Sequence, residues 1–312
     1  MSLALLFPGQ GSQHSGMGQA LWDRFPEARA AFAEADAALG FPLSEMCFSG
    51  SDAELARTEN TQPAILTSSV AAWRVLEAGG LRAGAMAGHS LGEYSALVAA
   101  GALRLADAVV LVRQRGRFMQ EAVPEGVGAM AAVLGLPQAT VETLCRENAR
   151  GEVVSAANLN GPDQVVIAGH TAAVARVVER AREAGAKRAV PLPVSAPFHC
   201  ALMEPAAARL APLLQATPFA DPRVPVYTNV DAAPVTTGAA AREALLRQVA
   251  SPVRWEEEVL AMGGDGFLRY LEVGPGKVLT GLVRRIRKDL VVLPAGEPEG
   301  IAAALREEVG AA

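Results

Sequence analysis

The sequence predicts an α/β fold in which a parallel sheet forms the core and a smaller unit with the order βαββαβ is inserted. Strand-like apolar runs and helical patterns alternate at both ends of the chain, which is typical of a parallel α/β core. Residues 126–194 depart from this alternation, because two strand-like runs follow each other there without a helix between them. With 312 residues and 51% hydrophobic residues, the chain can also bury a large core.

The N-terminal segment predicts a short strand at 3–7, a glycine-rich loop with the sequence FPGQGSQ at 7–13, and a helix over about 17–39. The loop is not a dinucleotide-binding fingerprint, because His14 occupies the position of the third glycine in G-x-G-x-x-G. A second glycine-rich segment, GPGKVLT at 274–280, lacks the glycine spacing of a phosphate-binding loop. Nucleotide binding by either loop therefore has little support.

The segment AGHSLGEYSALVAAGAL at 87–103 places Ser90 between Gly88 and Gly92, where a predicted strand meets a predicted helix. G-x-S-x-G in this context is the pattern of a nucleophile elbow, a strained turn that exposes a serine hydroxyl. The two glycines leave room for the tight backbone of such a turn. The alternative is that Ser90 only caps the helix, with Glu93 at the capping-box position, although capping requires neither glycine.

The segment 105–123 predicts an amphipathic helix with an arginine on its apolar face. When each residue is set 100° after the last, Arg115 falls within an apolar arc formed by Leu105, Ala108, Val109, Val112, Gly116 and Met119. An arginine directed into a core is unfavourable unless an anion or a hydrogen-bond acceptor meets it. Two interpretations stay open: an ion pair with an internal carboxylate, or a substrate carboxylate held by the planar guanidinium.

The inserted unit is predicted from six consecutive patterns, namely an apolar run at 127–134, a helix at 137–149, strands at 152–158 and 164–169, a helix at 171–185, and the strand-like RAVPLPV at 188–194. The two middle strands are joined through NGPDQ, which is a good turn signal. This order is that of a ferredoxin-like unit. After residue 195 the alternation resumes, with PVYTNV and GFLRYLEVG as predicted strands.

A serine hydroxyl needs a base to become a nucleophile, and histidine is the usual base near neutral pH. Three of the four histidines are poor candidates because they lie in the glycine-rich loop, at the start of a helix in the insertion, or beside the serine but directed away from it: His14, His170 and His89. His199 remains, where the chain re-enters the core, with a purely structural histidine as the alternative. Cys200 is a weaker candidate nucleophile, because no elbow surrounds it.

The composition restricts the classes of function. A net charge of −5 argues against general nucleic-acid binding. Three cysteines without a C-x-x-C pair predict neither a disulfide framework nor a zinc site, which fits a reducing compartment. No apolar run approaches the roughly 20 residues of a membrane span, and the N-terminus lacks a basic leader. We therefore expect a cytoplasmic protein that does not enter a membrane.

The chain resembles the malonyl-CoA:acyl-carrier-protein transacylases of fatty-acid synthesis and the acyltransferase domains of polyketide synthases. The resemblance runs nearly end to end and rests on eight motifs in order, FPGQGSQ, TQPAILTSS, GHSLGEY, RGRFMQEAVP, NLNGPDQVVIAG, VSAPFHCALM, SPVRW and EVGPGKVL. It implies an α/β-hydrolase-like catalytic domain made of 1–124 and 196–312, interrupted by a ferredoxin-like subdomain at 125–195.

The resemblance also implies a role for each candidate residue. Ser90 becomes the acylated nucleophile, His199 its base, and Arg115 the group that holds the free carboxylate of a malonyl substrate. Instead of a triad acid, the backbone carbonyl of Gln248 orients the histidine. The backbone N–H groups of Gln10 and Leu91 form the oxyanion hole.

Phe198 resembles the bulky residue beside the histidine in malonyl-selective members, which would disfavour branched acyl groups, although core packing explains it nearly as well. The implied reaction moves a malonyl group from malonyl-CoA to the phosphopantetheine thiol of acyl carrier protein, with no metal or redox cofactor. We expect a monomer, and the basic run RRIRK at 284–288 is a candidate surface for the acidic carrier, with a solvated helix end as the alternative. Two rival functions are a serine hydrolase and a catalytically silent carrier-protein scaffold.

Overall fold

The computed structural model describes residues 2–194 and 196–310. Its strands are β1 (Ser2–Phe7), β2 (Ala85–Gly88), β3 (Gly128–Leu134), β4 (Val154–Gly161), β5 (Gln164–His170), β6 (Arg188–Pro191), β7 (Val226–Thr228), β8 (Ala233–Val235), β9 (Phe267–Glu272) and β10 (Val291–Pro294). Its α-helices are α1 (Gln19–Arg24), α2 (Pro26–Leu39), α3 (Leu43–Ser49), α4 (Asp52–Leu55), α5 (Thr58–Ala78), α6 (Gly92–Ala99), α7 (Leu105–Glu121), α8 (Gln138–Asn148), α9 (Thr171–Glu183), α10 (Glu204–Ala216), α11 (Gly238–Gln248), α12 (Trp255–Gly264), α13 (Val278–Ile286) and α14 (Pro298–Glu308).

The larger sheet has the strand order β10-β9-β1-β2-β7-β8. All its pairs are parallel except the edge pair β7–β8, so the predicted parallel α/β core is confirmed. The central strands are apolar on both faces because helices cover the sheet on both sides. The carboxyl ends of β1, β2 and β7 lie side by side, and such an edge is where open α/β sheets bind ligands.

The smaller sheet is formed within residues 128–191 and has the order β4-β5-β3-β6, with every pair antiparallel. This is the arrangement of the predicted ferredoxin-like unit, in which β5, the second strand of the hairpin, lies between β3 and β4. Helices α8 and α9 pack on one face of this sheet around a separate apolar cluster. The fold class predicted from the sequence is therefore confirmed for both parts.

The single helix predicted over 17–39 is wrong in one respect. The structure has two helices, α1 and α2, separated at Phe25, whose backbone is extended (φ −124°, ψ 126°). Pro26 follows directly, and a proline disfavours helical backbone at the residue before it while starting a new helix well.

The inserted unit is joined to the rest of the chain by backbone hydrogen bonds. Val253 donates its N–H to the carbonyl of Ala157 (2.9 Å) and accepts from the N–H of Leu159 (2.9 Å), so the segment just before α12 extends the edge of β4. The inserted unit is thereby held against the carboxyl edge of the larger sheet. None of the described helices is long and apolar enough to cross a membrane.

Candidate active site

Ser90 lies in a strained turn between β2 and α6. Its φ is 53°, in the left-handed region that non-glycine residues rarely adopt. A Cβ atom on Gly88 would collide with the backbone of Gly92, and one on Gly92 would collide with the carbonyl of Phe7. The two glycines are therefore required by the close approach of the turn to the helix and to β1, as a nucleophile elbow needs.

The helix-capping alternative for Ser90 is wrong. The capping position of α6 is Leu91, and it makes no side-chain hydrogen bond to the helix. The carboxylate of Glu93, which would complete a capping box, instead accepts hydrogen bonds from the backbone of Asn229 and the side chain of Gln248. The strain at Ser90 is thus not explained by local helix stabilisation.

Ser90 and His199 form a hydrogen-bonded pair. Ser90 Oγ lies 2.7 Å from His199 Nε2, and His199 Nδ1 lies 3.0 Å from the backbone carbonyl oxygen of Gln248. A carbonyl can only accept, so Nδ1 carries the proton and Nε2 is left to accept from the serine hydroxyl. His199 itself has φ 61°, so both residues of the pair have a left-handed backbone conformation, which is strained for a residue other than glycine.

The electrostatic surroundings keep His199 neutral. Its side chain is 3% exposed. Burial, followed by the positive charge of Arg115, lowers the pKa of His199 to about 3. A histidine that is neutral at neutral pH has a free lone pair with which to take a proton.

Arg115 projects from α7 into the site and is 1% exposed. Nη1 of the guanidinium donates to Gln62 Oε1 (2.8 Å), and Nη2 donates to Gln248 Oε1 (2.9 Å) and to Ser90 Oγ (3.2 Å). Among residues 2–194 and 196–310, no carboxylate forms an ion pair with Arg115. The ion-pair interpretation is therefore not what the structure has. A buried cation held by neutral amides beside the serine can still bind an anion.

A cavity of about 120 Å³ contains the reactive pair. Gln10 and Leu91 line it, and within the described residues their backbone N–H groups donate to no backbone carbonyl. A Cβ on Gly9 would collide with the carbonyl of His89, so glycine at that position lets the loop after β1 approach the elbow. The arrangement suits two donors directed at a developing oxyanion.

Phe198 lines the same cavity together with Met130 and Leu192, and its ring is largely buried. It can therefore limit the size of a bound group, although it also packs in the main core cluster. Cys200 is buried and donates its Sγ–H to the carbonyl of Pro197 (3.1 Å). Burial raises the pKa of the Cys200 thiol to about 11, which leaves it a poor nucleophile.

Two polar residues of the site were not predicted from the sequence. Gln62 on α5 accepts from Arg115, and Asn229 at the end of β7 accepts the backbone N–H of Ser90 through Oδ1 (2.7 Å). An asparagine directly after a strand of a parallel sheet is a signal that could have found the second one, because strand carboxyl ends share one edge. The side chain of His89 pairs with Asn160 Oδ1 (2.8 Å), and His89 lines the same cavity as Ser90.

The basic run 284–288 lies at the end of α13. Arg284 and Lys288 are exposed, Arg285 donates to Gln164 of the inserted unit (2.7 Å), and Arg287 pairs with Asp289. This surface therefore borders the junction between the two sheets. The positive charges also lie at the C-terminal end of α13, where they interact favourably with the helix dipole. A solvated helix end therefore explains them equally well.

Comparisons with known proteins agree with this geometry. The family model for the acyl transferase domain matches residues 4–308. The malonyl CoA-acyl carrier protein transacylases of Escherichia coli K12 and Salmonella typhimurium are 54% and 52% identical to the chain, each over 97% of it and over 98% and 99% of their own lengths.

Among solved structures, the malonyl CoA-acyl carrier protein transacylase of Coxiella burnetii superposes with a TM-score of 0.97 at 45% identity, covering 99% of this chain and 98% of that one. A malonyl-transacylase in complex with a type II polyketide synthase acyl-carrier protein superposes with a TM-score of 0.96 at 47% identity, covering 98% of this chain and all 100% of that one. The chain belongs to the acyl transferase family.

Proposed function

We propose that the protein transfers a malonyl group from malonyl-CoA to the phosphopantetheine thiol of acyl carrier protein through a malonyl-Ser90 intermediate. The observation that carries this proposal is Arg115, a buried cation without an acidic partner among the described residues, 3.2 Å from the nucleophilic oxygen. A neutral ester gives such a cation no purpose, whereas the free carboxylate of a malonyl thioester pairs with it. The rival serine hydrolase function is correspondingly disfavoured.

The first half-reaction acylates the serine. His199 Nε2 removes the proton of Ser90 Oγ as that oxygen attacks the thioester carbonyl, and the carbonyl of Gln248 stabilises the imidazolium that forms. The N–H groups of Gln10 and Leu91 donate to the oxyanion. Collapse of the tetrahedral intermediate breaks the C–S bond, and His199 returns the proton to the departing thiolate of coenzyme A.

The second half-reaction uses the same groups in reverse. The thiol of the carrier arm gives its proton to His199 and attacks malonyl-Ser90. The C–O bond to Ser90 breaks, and His199 returns the proton to the serine oxygen. Since both acyl carriers end in the same phosphopantetheine arm, one channel serves them in turn. A second cavity of about 750 Å³ adjoins the first through Gln10 and Val194 and offers such an approach.

The proposal extends to selectivity, carrier docking and domain organisation. Phe198 would disfavour branched acyl groups. The carrier protein would dock near the basic run 284–288. The full-length match to transacylases supports a place in fatty-acid synthesis, in the cytoplasm, and we propose a monomer with catalytic segments 1–124 and 196–312 around the subdomain 125–195.

The experiment that tests this function is incubation with radiolabelled malonyl-CoA or acetyl-CoA, with and without acyl carrier protein. Intact-mass analysis without carrier should show one malonyl adduct, which Ser90→Ala abolishes. His199→Ala should slow adduct formation by roughly 10³- to 10⁶-fold, as removal of a base does elsewhere. An adduct that persists in Ser90→Ala, or malonyl-CoA hydrolysis without transfer, would contradict the proposal.

A further inference from the structure

Gln248 contacts both halves of the site at once. Its backbone carbonyl binds His199 Nδ1, and its side-chain carbonyl accepts from Arg115 (2.9 Å). The side chain is fully buried at the end of α11. Whatever holds this amide in one orientation therefore also sets the position of the cation beside Ser90.

The orientation of the Gln248 amide is determined by the atoms around its nitrogen. Nε2 donates to Ser90 O (2.9 Å) and to Glu93 Oε2 (2.9 Å), and it lies 3.3 Å from Asn229 Oδ1. If the amide were flipped, its oxygen would face these three acceptors, and its N–H₂ would face the guanidinium of Arg115, which has no acceptor. Of these three acceptors, Glu93 Oε2 is the one that belongs to a carboxylate.

Glu93 is itself fixed behind the elbow. It lies in the first turn of α6 and is fully buried. The same oxygen, Oε2, also accepts from the backbone N–H of Asn229 (3.0 Å), while Oε1 has no hydrogen-bond partner among the described residues. Asn229 is held in turn by Glu258 and by the carbonyl of Gly88. The carboxyl of Glu93 thus joins α6, β7 and α11 through one atom.

We propose that Glu93 is a positioning residue of the transfer reaction, which fixes the Gln248 amide and through it directs Arg115 toward the acyl carboxylate. The mechanism above uses Glu93 nowhere, so the assignment adds a residue to the site. It rests on the proposed function, because Arg115 needs directing only if the substrate carries a carboxylate. Acetyl transfer brings no carboxylate for Arg115 to hold, so it should be nearly independent of Glu93.

The role requires an acceptor at Oε2 and does not require a charge. Burial raises the pKa of the Glu93 carboxyl to about 7, with the bonds from Asn229 and Gln248 opposing the rise. A protonated carboxyl still accepts through its other oxygen, and so does the amide of a glutamine. Glu93→Gln is therefore the conservative variant that keeps the contact, and Glu93→Met is the variant of similar size that removes it.

The test compares malonyl and acetyl transfer in the parent, Glu93→Met, Glu93→Gln, Arg115→Ala and the double variant Glu93→Met/Arg115→Ala. We expect Glu93→Met to lower malonyl transfer by roughly 10- to 100-fold, the effect of losing a hydrogen bond that orders a charged group. Acetyl transfer should change by less than about 3-fold, and Glu93→Gln should recover most malonyl transfer. The double variant should be no worse than Arg115→Ala alone, because the two residues act through one path.

A matched control is Glu272→Gln. Glu272 is a buried carboxylate that accepts the N–H groups of Leu279 (2.9 Å) and Thr280 (2.7 Å) at the start of α13, away from the cavity. Replacing one of its two acceptor oxygens by N–H₂ should lower the melting temperature and leave the ratio of malonyl to acetyl transfer unchanged. If Glu93→Met does not fold, Gln248→Met serves in its place, since it removes the amide and keeps the backbone carbonyl.

Three outcomes would overturn the inference: equal losses of malonyl and acetyl transfer, multiplying losses in the double variant, or failure of Glu93→Gln to recover activity. Each of these presupposes a parent that transfers malonyl. A parent that transfers no malonyl overturns the proposed function, and the inference falls with it. The two failures are therefore distinguished by the parent enzyme alone.

Discussion

At the scale of single residues, Arg115 separates this site from that of an ordinary serine hydrolase. Burial lowers the pKa of its guanidinium, while Tyr94 and the charge of Glu93 oppose the shift, and its hydrogen bonds go to neutral amide oxygens. Such a site binds a substrate anion without first breaking an ion pair within the protein. The cation is therefore available to a carboxylate that arrives beside Ser90.

Replacement of Arg115 by alanine tests this availability. A substrate carboxylate left buried and unpaired loses about 3 to 5 kcal/mol, so malonyl transfer should fall by roughly two to three orders of magnitude. Acetyl-CoA carries no such charge, and its transfer should persist or improve. The measurement is transfer of both acyl groups alongside the melting temperature. A parallel loss of both activities in an unstable protein would indicate a structural role instead.

His199 links the chemistry to the pH dependence of stability. Its pKa lies near 6.5 in the unfolded chain and is lowered to about 3 in the fold, so below pH 6.5 the unfolded state binds more protons. Stability from this group is present above pH 6.5 and is lost as the pH falls toward 3, by up to ~1.4 kcal/mol per pH unit. His199→Gln should remove this part of the slope, as measured by urea unfolding at several pH values. Equal slopes in parent and variant would contradict it.

At the scale of elements, the site is assembled where a strand end, a helix start and a helix end meet. β2 and α6 supply Ser90, α7 supplies Arg115, and α11 ends at Gln248. The glycines on each side of Ser90 permit the close packing of α6 on β1 that this assembly needs. Helix α13 contributes no residue to the lining of the reactive cavity, and its C-terminal end carries the basic run at the surface.

Charge reversal on α13 tests that surface. The proposed partner, acyl carrier protein, is acidic. Because this chain has a net charge of −5, it needs a local basic patch to attract such a partner. Arg284→Glu with Arg287→Glu should raise the apparent KM for carrier protein and leave that for malonyl-CoA unchanged. Initial rates at several ionic strengths provide the measurement. An equal effect on both substrates would point to contacts with coenzyme phosphates or to misfolding.

At the scale of the whole molecule, the inserted unit completes the site. Ser90 precedes it and His199 follows it, 109 positions apart in the sequence, yet their side chains are in hydrogen-bond contact. Met130 and Asn158 from the inserted unit line the reactive cavity. The geometry of the site therefore depends on how firmly the inserted unit is held against the larger sheet.

The partly buried hydrogen bond between His89 and Asn160 crosses this junction. Asn160→Ala leaves the His89 N–H without its acceptor in a partly buried place, so we expect a loss of ~1 to 3 kcal/mol in the free energy of unfolding. Gln164→Ala, which removes an exposed bond to Arg285 across the same junction, should cost no more than about 0.5 kcal/mol. Denaturant unfolding of both variants makes the comparison. Equal losses in the free energy of unfolding would show that the bond between His89 and Asn160 stabilises the junction no more than the exposed bond does.

Local pattern was enough to predict much of the fold. Both glycines of the elbow, the apolar face of α7 with Arg115 on it, and the six elements of the inserted unit follow from backbone sterics and from the periods of helices and strands. It failed at Phe25, where proline ended a helix that the apolar pattern extended, and it overlooked β10, a short strand at the far edge of the sheet. The resemblance to a family supplied the roles of His199, Gln10 and Leu91, which spacing left open.

The sequence by itself thus determined the local settings of Ser90 and Arg115, because a nucleophile elbow and an apolar helix face are local features. Only the tertiary structure decided what these residues meet. The partners of Arg115 on α5 and α11, the contact of Asn229 with the elbow, and the place of Glu93 behind Gln248 all join residues far apart in the chain. Such pairs are set by the packing of the sheets and helices, since hydrogen bonds between distant side chains leave no periodic trace in the sequence.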